Sequence, residues 1–381
     1  MRILGSPVGI ALILLVLLDT FETIIQPRRV THRFRFTRFY YRWSWTVCSR
    51  MAVIIPAGKR REAYLAFFGP LSLLGLFSTW IGALIFGFAL LGWSVSVGIH
   101  TADPHVNFFT YLYLSGTTIF TLGYGDIVPM DHFGRVLAVC ESGLGFAFLA
   151  IVISYLPGIN QAFSKREVTI SLLDARAGSP PTAGQLLVRM AKSGSMSQMD
   201  SLLAEWETWS AELLESHLSF PVLSYFRSQH DNQSWLSALT CMLDTCAVIL
   251  AQVKGCNLYR AQLTFAMARH AAVDLTLIFR APARPPTIDR LPEEKCRRLE
   301  QILRQAGLAL HDDGEAGAKL RELRAMYEPF LSALAQRFLL TLPVFLTESE
   351  PIDNWQRSPG FRAPGLEKLP IIRGADEHFG A

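Results

Sequence analysis

From Ala63 to Ala102 the chain carries no Asp, Glu, Lys or Arg. A helix needs about 20 apolar residues to cross the hydrocarbon core of a bilayer. Pro70 to Gly98 (PLSLLGLFSTWIGALIFGFALLGWSVSVG) meets that requirement and reads as a spanning helix. A second uncharged run covers Ser142 to Ser164, and Val136 to Leu156, with Glu141 as its one charge, reads as a second span ending at Pro157-Gly158. Val8 to Gln26 is a third candidate. Its apolar core, Val8 to Leu18, has the length of a signal peptide, but no small-x-small cleavage site follows, which favours a retained membrane helix over residues 1–27. Half of the 381 residues are apolar and 18% are charged, against about 25% charged in soluble domains. The excess lies in residues 1–160, while the downstream half is charged at ordinary density. A purely soluble, disordered or disulfide-stapled chain is excluded. Six scattered cysteines set no disulfide framework, and a net charge of +4 does not by itself call for nucleic acid.

Basic residues set the expected topology. Arg28, Arg29, Arg33, Arg35, Arg38, Arg42, Arg50, Lys59, Arg60 and Arg61 lie between the first and second hydrophobic segments. Short loops rich in Lys and Arg stay on the cytoplasmic side. Residues 28–67 are therefore expected inside a plasma or inner membrane, with the large C-terminal half cytoplasmic. Phe34, Phe36, Phe39, Tyr40, Tyr41, Trp43 and Trp45 are interleaved with those arginines. Beside two spans they fit a helix lying at headgroup depth, so lipid is the expected partner and nucleic acid is not. Asp19 and Glu22 share one face of the first helix at i, i+3, and Arg28 or Arg29 are their expected partners.

Between the two spans lies a segment too long for a simple loop. Asn107 to Phe120 (NFFTYLYLSGTTIF) is apolar but too short to cross, which suits a re-entrant helix. It runs into Thr121-Leu-Gly-Tyr-Gly-Asp126. Chain that stops halfway and returns extended leaves carbonyls unpaired at membrane depth, tolerable only where they line a polar path.

Thr121 to Asp126, preceded by Thr117-Thr118 and framed by two spans, resembles the pore loop of potassium channels. The resemblance covers residues 70–157. Gly123 and Gly125 suit the positive-φ conformations that align successive carbonyls. The resemblance implies a selectivity filter at Thr121, Leu122, Gly123, Tyr124 and Gly125, with backbone carbonyls and the Thr121 hydroxyl replacing the water around K+, the permeant ion and the one cofactor implied. Tyr124 would brace the filter against the pore helix, and Asp126 would sit at the outer mouth. Thr117, Thr118 and Glu141 are the expected filter supports, with Tyr113 another candidate partner for Glu141. Leu122 stands where the family more often has Val. One pore loop per chain implies a homotetramer.

The expected fold is thus an all-α membrane protein. A potassium-channel-like pore module occupies 68–160, with outer helix 70–98, pore helix 107–119, filter 121–125 and inner helix 135–157. Gly143 and Gly145 are candidate gating hinges, close packing being the equal alternative. Gly143-Leu-Gly145 does not open a dinucleotide fingerprint, since Phe148 occupies the third glycine position.

Residues 161–381 read as an all-α cytosolic domain with an irregular tail after 343. Asp174 to Gln185 reads as a linker ending in a helix start. Helical periodicity covers Met199–Leu218, Trp235–Val253, Leu258–Phe279, Glu293–Ala306 and Ala316–Leu342. Cys241, Cys246 and Cys256 with His217 or His270 lack metal-finger spacing, so no metal beyond K+ is expected. His217 and His230 are candidate pH sensors. Catalytic motifs are absent, and a regulatory ligand is not legible. The leading expectation is passive, potassium-selective conduction. A weakly selective cation channel and a receptor with a vestigial pore are the alternatives.

Overall fold

The computed structural model describes residues 2–25, 35–102, 105–229, 232–286, 288–311 and 314–347. Arg28, Arg29, Arg33, His230, Asp312 and the tail beyond residue 347 lie outside the described residues. The chain divides into two compact units, Met1–Gln161 and Ala162–Ala381. Among the described residues, four helices are long and apolar enough to cross a membrane, within Gly5–Ile24, Lys59–Val95, His132–Ala177 and Trp235–Gln252.

In the first unit, α1 (Arg2–Thr20) ends in a π-helical turn, Phe21–Ile25. It packs on α4 (Phe68–Val95) through small residues, as membrane helices without a hydrophobic drive between them commonly do. A methyl group at Gly9 would fall 2.8 Å from the Gly87 carbonyl oxygen, and the Ser6 and Ser94 hydroxyls lie 2.6 Å apart.

Among the described residues of 28–67 lie two helices, α2 (Phe36–Ile54) and α3 (Lys59–Ala66). Trp45 and Ala52 form the buried side of α2, and Trp45 meets Phe68 edge-on at 4.9 Å. Phe39, Trp43, Val47, Met51 and Ile54 remain exposed, the arrangement expected of an interfacial helix. Asp19 caps α2 from α1: its carboxylate accepts from Thr37 N at 3.1 Å, from the Thr37 hydroxyl at 2.6 Å and from Trp80 Nε1 at 2.9 Å. Glu22 pairs with Arg35 at 3.4 Å. The two acids thus divide their work. One holds hydrogen-bond donors of α2 and α4, and the other takes an arginine beyond the pair that sequence spacing suggested.

Strands β1 (Ile99–His100) and β2 (Val128–Pro129) pair antiparallel and bracket α5 (Phe108–Ile119). The last element of this unit is α6 (His132–Ala177), which belongs to the first unit up to Gln161 and to the second from Ala162. The inner helix expected to stop at Pro157 therefore continues through it. A proline inside a helix costs about 3 kcal/mol, because one N–H is lost and the ring crowds the preceding turn. Burial of Ile170, Leu173 and Ala177 downstream offsets that cost.

The second unit is helical, with α7 (Ala183–Lys192), α8 (Met199–Ser219), α9 (Trp235–Gln252), α10 (Leu258–Ile278), α11 (Glu293–Gln305), α12 (Ala316–Ala325) and α13 (Glu328–Phe338). Every residue of α9 is buried, against α7, α10, α12 and α13 among others. This fourth long apolar helix is the core of the unit, with no face left for lipid. The helix start expected at the close of 174–185 is α7, whose N-cap Thr182 accepts from Gln185 N at 3.3 Å, but the residues ahead of it are the end of α6 and a largely buried turn instead of a linker. The single helix expected over 316–342 breaks at Tyr327, one residue ahead of α13, which carries Pro329 in its first turn. At the centre, Asp244 takes both guanidinium nitrogens of Arg290 at 2.8 Å and the Tyr327 hydroxyl at 2.6 Å. Glu328 joins Arg290 at 2.9 Å and Arg324 at 3.0 Å. Such a buried network adds little net stability, yet removing one partner strands a charge and costs about 3–5 kcal/mol.

His217 is fully buried, with Nδ1 donating to the Leu213 carbonyl at 2.7 Å. Burial, then the nearby Arg166 charge, lowers its pKa from 6.5 to about 3. It therefore does not sense pH near neutrality. An unfolded chain protonates this histidine near 6.5 and the folded chain only near 3, so acid favours unfolding between those values. Stability should fall by about 1.4 kcal/mol per pH unit across that window. In thermal melts of the full chain in detergent, His217→Gln should show a shallower acid slope than wild type. Equal slopes would remove His217 from the account. Cys241 and Cys246 are buried on α9, where burial raises both thiols. Among the described residues, no three His, Cys, Asp or Glu side chains converge.

Candidate functional site

Asn107 starts α5 with a reciprocal capping box to Thr110, and its Oδ1 accepts from Phe109 N at 2.9 Å. Twelve residues give a helix of about 18 Å, short of a bilayer core of about 30 Å. Its buried stripe of Tyr111, Ser115 and Ile119 follows the i, i+4 period. Tyr111 donates to the Val97 carbonyl at 2.7 Å and Ser115 to the Ile85 carbonyl at 2.9 Å. Phe108 packs edge-on against Phe86 and Trp93. The helix is thereby fixed along α4, with its C-terminus carrying the partial negative charge of the helix dipole.

At that end the backbone forms a Schellman motif. Leu122 N donates to the Thr117 carbonyl at 2.8 Å and Thr121 N to the Thr118 carbonyl at 3.0 Å. The motif requires a left-handed residue, usually Gly, after the cap. Here it is Thr121, at φ +53°. A β-branched side chain in this region is an outlier that stores backbone strain. Gly123 and Gly125 follow at φ +53° and +81°, the conformations their lack of a Cβ permits. The support given by Thr117 and Thr118 comes from their carbonyls. Their hydroxyls turn back to the Leu114 carbonyl at 2.9 and 2.7 Å.

The side chains from Thr121 to Asp126 are exposed, Tyr124 by 69% and Leu122 by 53%. Tyr124 does not brace the loop against its own pore helix. That link is made by Tyr113, whose hydroxyl donates to Asp126 Oδ2 at 2.9 Å. Past the loop, Asp131 accepts from Gly98 N at 2.6 Å and Gly134 N at 2.5 Å, and these two N–H groups, Gly134 first, hold its carboxyl below the usual range. The loop is thus tied to the outer end of α4 and the first turn of α6. Tyr113→Phe should release the Asp126 end of the loop, a small effect at this exposed site. The expected reading is faster amide hydrogen exchange over Thr121–Asp126, and unchanged exchange would count against the tether.

On α6, Glu141 is buried and hydrogen-bonds Ser115. Thr117, Thr118 and Tyr113, its expected partners, are engaged elsewhere. Ser115 was legible only as one small polar residue in an apolar helix. The two glycines separate. A Cβ at Gly145 would run into the Ile119 carbonyl at the end of α5, whereas one at Gly143 meets nothing within 4 Å. Close packing is therefore the role of Gly145.

Residues 74–159 match a family model described as an ion channel. Over that stretch the resemblance drawn from Thr121–Asp126 holds. The chain is 26% identical over 215 residues to the uncharacterized membrane protein YdjJ of Bacillus subtilis (strain 168), covering 53% of this chain and 58% of that one. It is 31% identical over 85 residues to protein LctB of Geobacillus stearothermophilus, covering 20% of this chain and 63% of that one. The chain thus spans about three fifths of the length of the curated relatives it matches. No solved structure matches it.

Proposed function

We propose that this all-α membrane chain, whose pore segment matches an ion-channel family, forms a passive, potassium-selective pore from four identical copies. The observation that carries the reading is the exposed strip Thr121–Asp126, with Gly123 and Gly125 at positive φ, held at the end of a half-length helix between two spans. Backbone carbonyls along such a strip can replace the hydration shell of a cation only when several strips face one axis. The exposed Tyr124 ring and the exposed Val139, Phe146 and Ile153 of α6 then meet neighbouring copies or line the cavity.

In this pore Gly145 is the close contact between α6 and the end of α5. α6 enters from the side of the filter, so a bend at Gly143 would pull Gly145 away from Ile119, while a bend at Gly145 or at Pro157 leaves that contact in place. The positive-inside tendency of the basic residues around α2 and α3 supports a reading with this side and the second unit in the cytoplasm. That unit assembles or gates the pore. Native mass spectrometry of the full chain from detergent tests the assembly. A mass of four chains supports the proposal, and a stable monomer or dimer as the largest species contradicts it.

A further inference from the structure

Three helices of the first unit meet at one hydroxyl. Ser115 Oγ on α5 lies 2.9 Å from the Ile85 carbonyl of α4 and also hydrogen-bonds Glu141 Oε1 of α6. A backbone carbonyl and a carboxylate oxygen are both acceptors, and serine has a single hydroxyl hydrogen. If Glu141 were ionised, the two would compete for that hydrogen and one would be left without a full donor. The count closes when the carboxyl keeps its proton. Glu141 O–H then donates to Ser115 Oγ, and Ser115 O–H donates to the Ile85 carbonyl.

The surroundings agree. Glu141 is 5% exposed and Ser115 3%. Beside them is a cavity of about 30 Å³ that Thr118 also lines, room for about one water. Its lining from α4, α5, β2 and α6 includes no Lys, Arg or His. Tyr111 is the other titratable group there, and its hydroxyl is given to the Val97 carbonyl. A carboxylate buried without a cation is costly, and inside a membrane more so.

We propose that Glu141 is held as the neutral acid and is a positioning residue, a proton-dependent latch joining α6 to α5 and α4. Its proton count stands on the hydrogen-bond geometry alone, while its consequence for conduction rests on the channel reading. Loss of the proton breaks the donor chain and leaves a charge among apolar groups. α6 is then released from the helix whose Thr117 and Thr118 carbonyls hold the filter backbone.

The test is infrared difference spectroscopy of the full chain in liposomes, run alongside current recordings in the same lipid. Wild type should show a protonated-carboxyl C=O band at neutral pH that disappears on alkaline titration and is missing in Glu141→Gln. Its current should fall through the same transition. Current through Glu141→Gln should no longer follow pH there, because the amide N–H donates to Ser115 in place of the acid. Glu141→Leu, which supplies no donor, should lose current at every pH. A Glu141 band in the ionised form at neutral pH, or a wild-type pH profile in Glu141→Gln, would overturn the proposal. Should no variant conduct while the carboxyl band behaves as stated, the channel reading fails and the latch is supported.

Discussion

Gly123→Ala and Gly125→Ala are each expected to abolish potassium selectivity while leaving the helical content of the chain unchanged. A methyl at either position meets nothing within 4 Å in its own chain, so the penalty is conformational. Both residues sit at positive φ, where a side chain costs about 1–2 kcal/mol. In the proposed assembly that penalty recurs in every copy around one axis. The backbone relaxes to negative φ, the carbonyls turn, and the stacked oxygen sites are lost. Circular dichroism should not move, while the reversal potential under opposed potassium and sodium gradients should shift from the potassium value toward zero. Thr121 gives an internal comparison, since it already holds a β-branched side chain at φ +53°. Thr121→Gly relieves that strain and removes the hydroxyl. It should raise thermal stability and still weaken selectivity, separating backbone strain from ion coordination.

Gly145→Val is the second large effect. The built Cβ overlaps the Ile119 carbonyl and approaches Ile119 Cγ1 to 3.0 Å, so α6 must move off the end of α5. Overpacking of this kind costs about 1–3 kcal/mol, and here the displaced atoms adjoin the Schellman turn that presents Thr121. Conduction should be lost and the melting temperature lowered. Gly143→Ala meets open space and should stabilise α6 by about 1 kcal/mol with conduction retained. Equal behaviour of the two variants would contradict the assignment of Gly145 as the packed contact.

The parts of this chain that read directly from sequence are those governed by local pattern. Pro70–Gly98 announces a membrane helix because an uncharged run of that length has one cheap environment, and α4 (Phe68–Val95) matches it closely. Thr121–Asp126 is legible because glycine at alternate positions encodes a backbone conformation, and the positive φ of Gly123 and Gly125 agrees. Hydropathy alone could not distinguish α9 from a span, because a helix buried on all sides and one facing lipid have the same composition. Only its complete enclosure by neighbouring helices separates them.

What failed was tertiary. Proline is an ambiguous stop: α6 runs on through Pro157, while Pro329 sits in the first turn of α13 just after a break. The partners of Asp244 and Glu141 lie far away in sequence, at Arg290, Tyr327 and Ser115. No spacing rule connects such residues. Tyr113 meets Asp126 and not Glu141 for the same reason, since that reach depends on how the loop folds back over the pore helix.

The central claim is that the Thr121–Gly125 backbone passes potassium and rejects sodium. The most direct measurement is the reversal potential of the purified full chain in liposomes with potassium on one side and sodium on the other. A reversal close to the potassium equilibrium potential is expected, lost in Gly123→Ala. A reversal near the sodium potential, or no current from a chain shown to be inserted and assembled, would contradict it.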